Sequence, residues 1–146
     1  MKLYELKEIR GTYVALRPTP ATLALVLAWA RENNVSLVSD PHVTVLYSRA
    51  PLQVSANPAE HLTTTLRFEA FNPSAGNQET AIVVELVAPT ISARHDALIR
   101  AGGTHDFPEY RPHMTLFYGD APDLSQLSPM NFGLTFAFEY SEALSE

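Results

Sequence analysis

Two short stretches of this chain repeat a pattern that few folds can accommodate twice: PHVTVLY at 41–47 and PHMTLFY at 112–118. Each sets a proline before a histidine, a threonine two residues on, and then an apolar run ending in tyrosine. Side chains alternate along a strand, so residues two apart share a face. His42 and Thr44 therefore point one way, and His113 and Thr115 do the same on the second strand. Val43, Val45 and Tyr47, and likewise Met114, Leu116 and Tyr118, are expected to fill the opposite, buried faces. Strands lying side by side or across a cleft would bring two imidazoles and two hydroxyls into one volume.

The rest of the chain reads as alternating strands and helices. GTYVALRP (11–18) alternates as a half-buried strand, with Thr12, Val14 and Leu16 on one face and Tyr13, Ala15 and Arg17 on the other. A helix follows, with Thr19 as N-cap and Pro20 at the first helical position. Leu23, Val26, Leu27 and Ala30 form its apolar stripe, and Asn33-Asn34 its stop. Residues 62–71 and 80–87 read as two strands joined by a hairpin loop, NPSAGNQE. A second helix is predicted over 90–101, beginning at Thr90 and ending on Gly102-Gly103. The strand HMTLFYG and a last strand over 132–140 complete the order β-α-β-β-β-α-β-β. Each histidine motif opens a strand after a helix, so the halves look like copies. The expected fold is α+β, one domain over 1–146, with two pseudo-symmetric sheet lobes, outer helices and a central cleft.

Two histidines and two threonines suit phosphoester transfer. A neutral imidazole can take a proton from an attacking hydroxyl while a protonated one donates to the leaving oxygen. Threonine hydroxyls can hold the non-bridging phosphate oxygens. Nothing in this scheme calls for a metal or a cofactor. A lone His-x-Thr in a strand is ordinarily a histidine satisfied at a sheet edge beside a common strand residue. Repetition, with a proline and a helix before each copy, favours function.

Composition narrows the chemistry further. With no cysteine, the 146-residue chain can have neither a thiolate metal site nor a cysteine nucleophile. Ten Lys and Arg against a net charge of −6 argue against long nucleic acid, whose binding draws on a basic surface. A small phosphorylated ligand needs only a few local donors. The first sixteen residues hold no signal-peptide core and no apolar run reaches the length of a membrane span, so a cytoplasmic protein, without membrane contact, is expected. Nothing demands a second copy, so a monomer is expected. There is no Gly-rich phosphate loop, no Gly-x-Ser-x-Gly elbow and no His-Glu-x-x-His helix.

PHVTVLY and PHMTLFY, about seventy residues apart in a small cysteine-free chain, resemble the 2H phosphoesterase superfamily. That resemblance implies a bilobal α+β fold whose two His-x-Thr strands line a central cleft, with His42, Thr44, His113 and Thr115 as catalytic residues. The opening MKLYELKEIRGTYVALRP and the compact size are most similar to the phage branch, the anti-CBASS nucleases, which degrade cyclic nucleotide messengers of bacterial immunity. The partner so implied is a small cyclic nucleotide or short oligonucleotide. Two enzymatic alternatives remain, an RNA 2′,3′-cyclic phosphodiesterase and a 2′–5′ oligonucleotide phosphodiesterase. A non-enzymatic protein that sequesters cyclic nucleotides is a third.

Five further residues are candidates for substrate binding. Tyr13 offers an aromatic platform for a base, or simply covers the sheet edge. Arg111, two before His113, and Arg49, five beyond Thr44, offer guanidinium groups to a phosphate, or are solvated surface charges. Phe107 sits in the loop feeding the second motif, as a lid aromatic or a loop anchor. Near the end of the chain, Glu142, favoured over Glu139, is the base-contacting carboxylate that the phage branch implies; a solvated tail is the plainer reading. His61, His95 and His105 lack a threonine partner and read as structural or surface residues.

Overall fold

A computed structural model describes residues 9–71, 80–119 and 123–145. In chain order it has β1 (Ile9–Pro18), α1 (Pro20–Glu32), β2 (Val43–Ser48), β3 (His61–Phe71), β4 (Thr80–Val87), α2 (Pro89–Arg100), β5 (His113–Gly119) and β6 (Leu134–Ser145). The predicted order of elements holds. The proposed hairpin loop, at 72–79, lies outside the described residues.

The six antiparallel strands close into one barrel in the order β1-β2-β5-β4-β3-β6. This corrects the expectation of two separate sheets, although a division survives within the barrel. β1 pairs at length with β2 and β6, and β4 pairs at length with β3 and β5. The seams joining these halves are short: Val43↔Met114 between β2 and β5, and residues 61–63 against 134–136 between β3 and β6. Three strands pair at length on each side of these seams, β2, β1 and β6 on one and β3, β4 and β5 on the other.

α1 is capped as predicted: the Thr19 hydroxyl accepts from the Thr22 amide at 3.3 Å, Pro20 is first in the helix, and Asn33 ends it. Its buried stripe is Thr22, Val26, Trp29 and Ala30 rather than the predicted leucine-containing one, and Leu27 is exposed. Trp29 sets that rotation: its ring stacks on Phe68 at 5.5 Å and its indole donates to the Ser128 carbonyl at 2.7 Å. α2 starts one residue earlier than predicted, on Pro89, with Ala88 as N-cap. The Thr90 hydroxyl meets His61 Nδ1 at 2.9 Å. Gly102, at φ 113°, ends the helix in a conformation that side chains rarely adopt. No helix among the described residues is long and apolar enough to cross a membrane.

Val14 and Leu16 of β1, Ile82 and Val84 of β4, Met114 and Leu116 of β5, and Leu134 and Phe136 of β6 build the core together with Val26 and Trp29 of α1 and Ile91 and Leu98 of α2. Burial of these side chains removes roughly 1.5–3 kcal/mol each of unfavourable hydration. At β2 and β5 the alternate phase, His42 and Thr44 and likewise His113 and Thr115, stays half-buried and is left for the site.

Candidate active site

The antiparallel pair Val43↔Met114 is the hinge of the site. Stepping one residue to either side of it sets Thr44 across from His113, and His42 across from Thr115. All four lie on the face away from the buried Val43 and Met114, and all four are half-buried, open enough to be reached by a ligand.

Both histidines are oriented by the same local device. His42 Nδ1 lies 2.8 Å from the Asp40 carbonyl and His113 Nδ1 lies 2.9 Å from the Arg111 carbonyl, each two residues back. A carbonyl only accepts, so Nδ1 carries the proton in each ring and Nε2 is left for other chemistry. The preceding prolines, Pro41 and Pro112, favour the extended approach that brings the carbonyl of residue i−2 under the ring.

Each histidine strand then carries a β-bulge at the same place. Register runs Val14↔Leu46 then Ala15↔Thr44 against β1, and Ile82↔Phe117 then Val83↔Thr115 against β4. Val45 and Leu116 are therefore the extra residues, and the alternation of faces shifts beyond them. Leu46 and Phe117 turn inward, while Tyr47 and Tyr118 emerge, each 54% exposed. This corrects the expectation that both tyrosines fill the buried face. They join the face that carries the histidines and threonines.

Two cross-strand rows follow from these registers, and they differ. In the first half Tyr47, Tyr13 and Glu142 stand side by side across β2, β1 and β6. Tyr13 packs edge-on to His42, Tyr47 and Tyr140 at 6.1–6.3 Å, and its hydroxyl lies 3.2 Å from Thr44 Oγ1. In the second half the matching row is Tyr118, Ala81 and Phe71, and Phe71 packs edge-on to His113 at 5.2 Å. Sequence reasoning named Tyr13 and Glu142 but missed Tyr47, Tyr118 and Phe71. The tyrosines were hidden by the bulges. Phe71 carried no local signal beyond its place at the end of a strand.

Burial raises the Tyr13 hydroxyl above its ordinary pKa, and burial together with Tyr13 raises Tyr140 to about 12, so both stay neutral. Arg17 sits over the Tyr140 ring at 4.1 Å and pairs with Asp40 at 3.3 Å, beside His42.

The other predicted residues lie as follows. Glu142 is exposed on β6 and lines a 340 Å³ pocket with Thr12 and Gln53. Its strand continues to Ser145, well past the predicted end at 140, so this segment is paired sheet and not a solvated tail. Glu139 is buried, with Arg94 donating to both its oxygens at 2.8 and 2.9 Å. Arg111 gives its guanidinium to Glu85 and Glu69, and Arg49 gives its own to Asp106 at 2.8 Å. Phe107 is 71% exposed and meets the His105 ring at 5.8 Å. His61 and His95 are buried, whereas His105 bonds the Glu109 carbonyl at the surface. Among the described residues no three His, Asp or Glu side chains come together as a metal-binding group.

The family model of the anti-CBASS protein Acb1 matches residues 10–146. An anti-CBASS protein Acb1 of Vibrio phage KVP40 is 33% identical over 99% of this chain and 94% of its own length. One of Acinetobacter phage Ac42 is 28% identical over 99% of this chain and 96% of its own. A protein of the same description from Sphingomonas paeninsulae is 27% identical over 77% of this chain, a match that takes up 20% of that longer protein.

Proposed function

The chain belongs to the anti-CBASS protein Acb1 family, and from that premise we propose that it is a 2H-type phosphodiesterase that cuts 3′–5′ linkages of cyclic oligonucleotide immune signals on behalf of a phage. One observation carries the chemistry: the β2–β5 register sets two histidines and two threonines together, with both imidazoles held at Nδ1 and open at Nε2.

The nucleophile is the substrate's own 2′-hydroxyl, which the ribose holds beside the phosphorus. One histidine removes its proton as the 2′-oxygen bonds to phosphorus. The bond from phosphorus to the 5′-oxygen breaks, and the other histidine gives that oxygen a proton. Thr44 and Thr115 donate to the non-bridging oxygens as negative charge builds there. The products are a free 5′-hydroxyl and a 2′,3′-cyclic phosphate, which water can open with the histidines in exchanged roles. Tyr13 and Tyr47 on one side, and Phe71 and Tyr118 on the other, offer ring faces and edges to the bases. Phe107, Arg111 and Arg49 are less apt: the phenyl meets a surface histidine, and both guanidinium groups are engaged by carboxylates.

The test is a panel of 3′–5′ cyclic dinucleotides, each with its 2′-deoxy analogue, with products read by mass. Ribose forms should be cut and the 2′-deoxy forms should bind and survive. Rapid cleavage of a 2′-deoxy form at the same linkage would overturn the mechanism and point to direct attack by water. Binding with every ligand recovered intact would point instead to sequestration.

A further inference from the structure

The bulge that turns Tyr47 outward also releases backbone groups from the β1–β2 ladder, and β2 meets β5 only at Val43↔Met114. Buried carbonyls left without a rung must find donors elsewhere. Two side chains supply them. Tyr110 Oη donates to the Thr44 carbonyl at 2.6 Å, and His95 Nδ1 donates to the Val45 carbonyl at 2.7 Å.

The two donors form one unit. Their rings stack face to face, 4.0 Å apart and within 6° of parallel, and the His105 ring closes the stack edge-on at 4.7 Å from His95. His95 is 4% exposed and projects from α2. Burial pushes its pKa down and that of the Tyr110 hydroxyl up, so both remain neutral donors. Tyr110 also lies three residues before His113, in the segment that runs straight into the second motif. There the Pro112 carbonyl is held by the Leu86 amide and the Arg111 carbonyl by His113 itself. A single side chain thus ties the backbone of Thr44 to the approach of His113. In the other half the corresponding carbonyl, on Leu116, is held by the backbone amide of Val38 after α1, at 2.8 Å.

We propose that Tyr110 and His95 are positioning residues, a brace that fixes the bulge at Thr44 and sets its distance from the second histidine motif. Neither need touch substrate. The brace rests on the phosphodiesterase reading for its effect on turnover, but its structural action can be read without substrate.

In the first arm, hydrogen exchange is followed peptide by peptide in the intact protein. In Tyr110→Phe, which keeps the stack and loses the hydroxyl, amides over 43–48 should exchange about tenfold faster, the size of one lost hydrogen bond. Those of β6 should keep wild-type protection. Unchanged exchange over 43–48, or equal acceleration throughout the chain, overturns the brace.

The second arm uses turnover of the 3′–5′ cyclic dinucleotides. Tyr110→Phe should lower kcat about tenfold with KM within about twofold. In a Thr44→Val background the same change should cost less than about twofold, because the group it positions is gone. His95→Asn, whose amide nitrogen can stand where Nδ1 stood, should retain more turnover than His95→Phe. Equal losses in both backgrounds, or His95→Phe matching His95→Asn, overturn the proposal. Should the wild-type protein cut none of the panel, the phosphodiesterase reading falls and the exchange arm alone decides the brace.

Discussion

Arg94 of α2 and Glu139 of β6 form a two-pronged ion pair, Nε to Oε1 at 2.8 Å and Nη2 to Oε2 at 2.9 Å, with the carboxylate side chain wholly buried. The same carboxylate accepts from the Asn57 amide at 2.8 Å, and Arg94 also donates to the Ser55 carbonyl, so the pair fastens the 55–57 connection to both elements. Arg94→Met should destabilise the fold by about 3 kcal/mol, because it leaves a buried charge with no counter-charge. Arg94→Met with Glu139→Leu should recover part of that loss. Urea unfolding checks both, and a single variant as stable as wild type would show that water reaches the carboxylate.

Replacing His42 or His113 with alanine should lower turnover about 100- to 10,000-fold, the scale of losing a positioned acid or base. Thr44→Val and Thr115→Val should cost about 10- to 1000-fold. Each of these side chains is half-buried at a surface, so thermal midpoints should move little. The pH–rate profile should be bell-shaped, since one imidazole must be neutral and the other charged. Turnover should persist in EDTA. Near-normal kcat in His113→Ala would end the paired-histidine mechanism.

Phe71 and Tyr118 should act on affinity. Phe71→Ala should weaken binding of a cyclic dinucleotide about tenfold, the scale of one lost stacking contact. Calorimetry on a His42→Ala background separates binding from cleavage. A change in kcat with unaltered affinity would mean that Phe71 serves only to hold His113.

Two buried histidines should make stability fall with acid. Burial lowers the pKa of His61, with Glu139 opposing and Arg94 assisting, and burial likewise lowers that of His95. Both are neutral in the folded chain, while the unfolded chain takes up protons from about pH 6.5 downward. Their contribution is therefore complete above that pH and declines as pH falls through the folded-state values, by at most about 1.4 kcal/mol per pH unit for each histidine. Urea midpoints measured from pH 7.5 to pH 5 should show this slope, and His61→Gln should flatten it. A midpoint indifferent to pH over that range would contradict the burial argument.

The element order and the motif pair were legible because both rest on local periodicity. Thr19, Pro20 and Gly102 mark helix ends by their own chemistry, and His-x-Thr needs only a strand to share a face. What escaped depends on partners distant in sequence. Val45-Leu46 reads as an ordinary apolar run, and only the register against Val14 and Ala15 makes Val45 a bulge. The stretch FEYSEALSE looks polar enough to be a tail, yet Arg94 neutralises Glu139 and β1 pairs residues 140–145. The α1 stripe was rotated by Trp29, whose partners Phe68 and Ser128 lie far along the chain. Separate lobes were a fair inference from a repeat, but short seams suffice to close a barrel.

The seam at Val43↔Met114 is where the barrel is most weakly sewn, and the four residues of the site flank it. On the proposed function, a phosphoryl group gripped from both strands would act there as a missing stitch. Loading the site and tightening the seam are then one thermodynamic event, so whatever strains the join loosens the grip by the same amount. In that reading the Tyr110 brace holds Thr44 in place, and the substrate completes the join to the second strand.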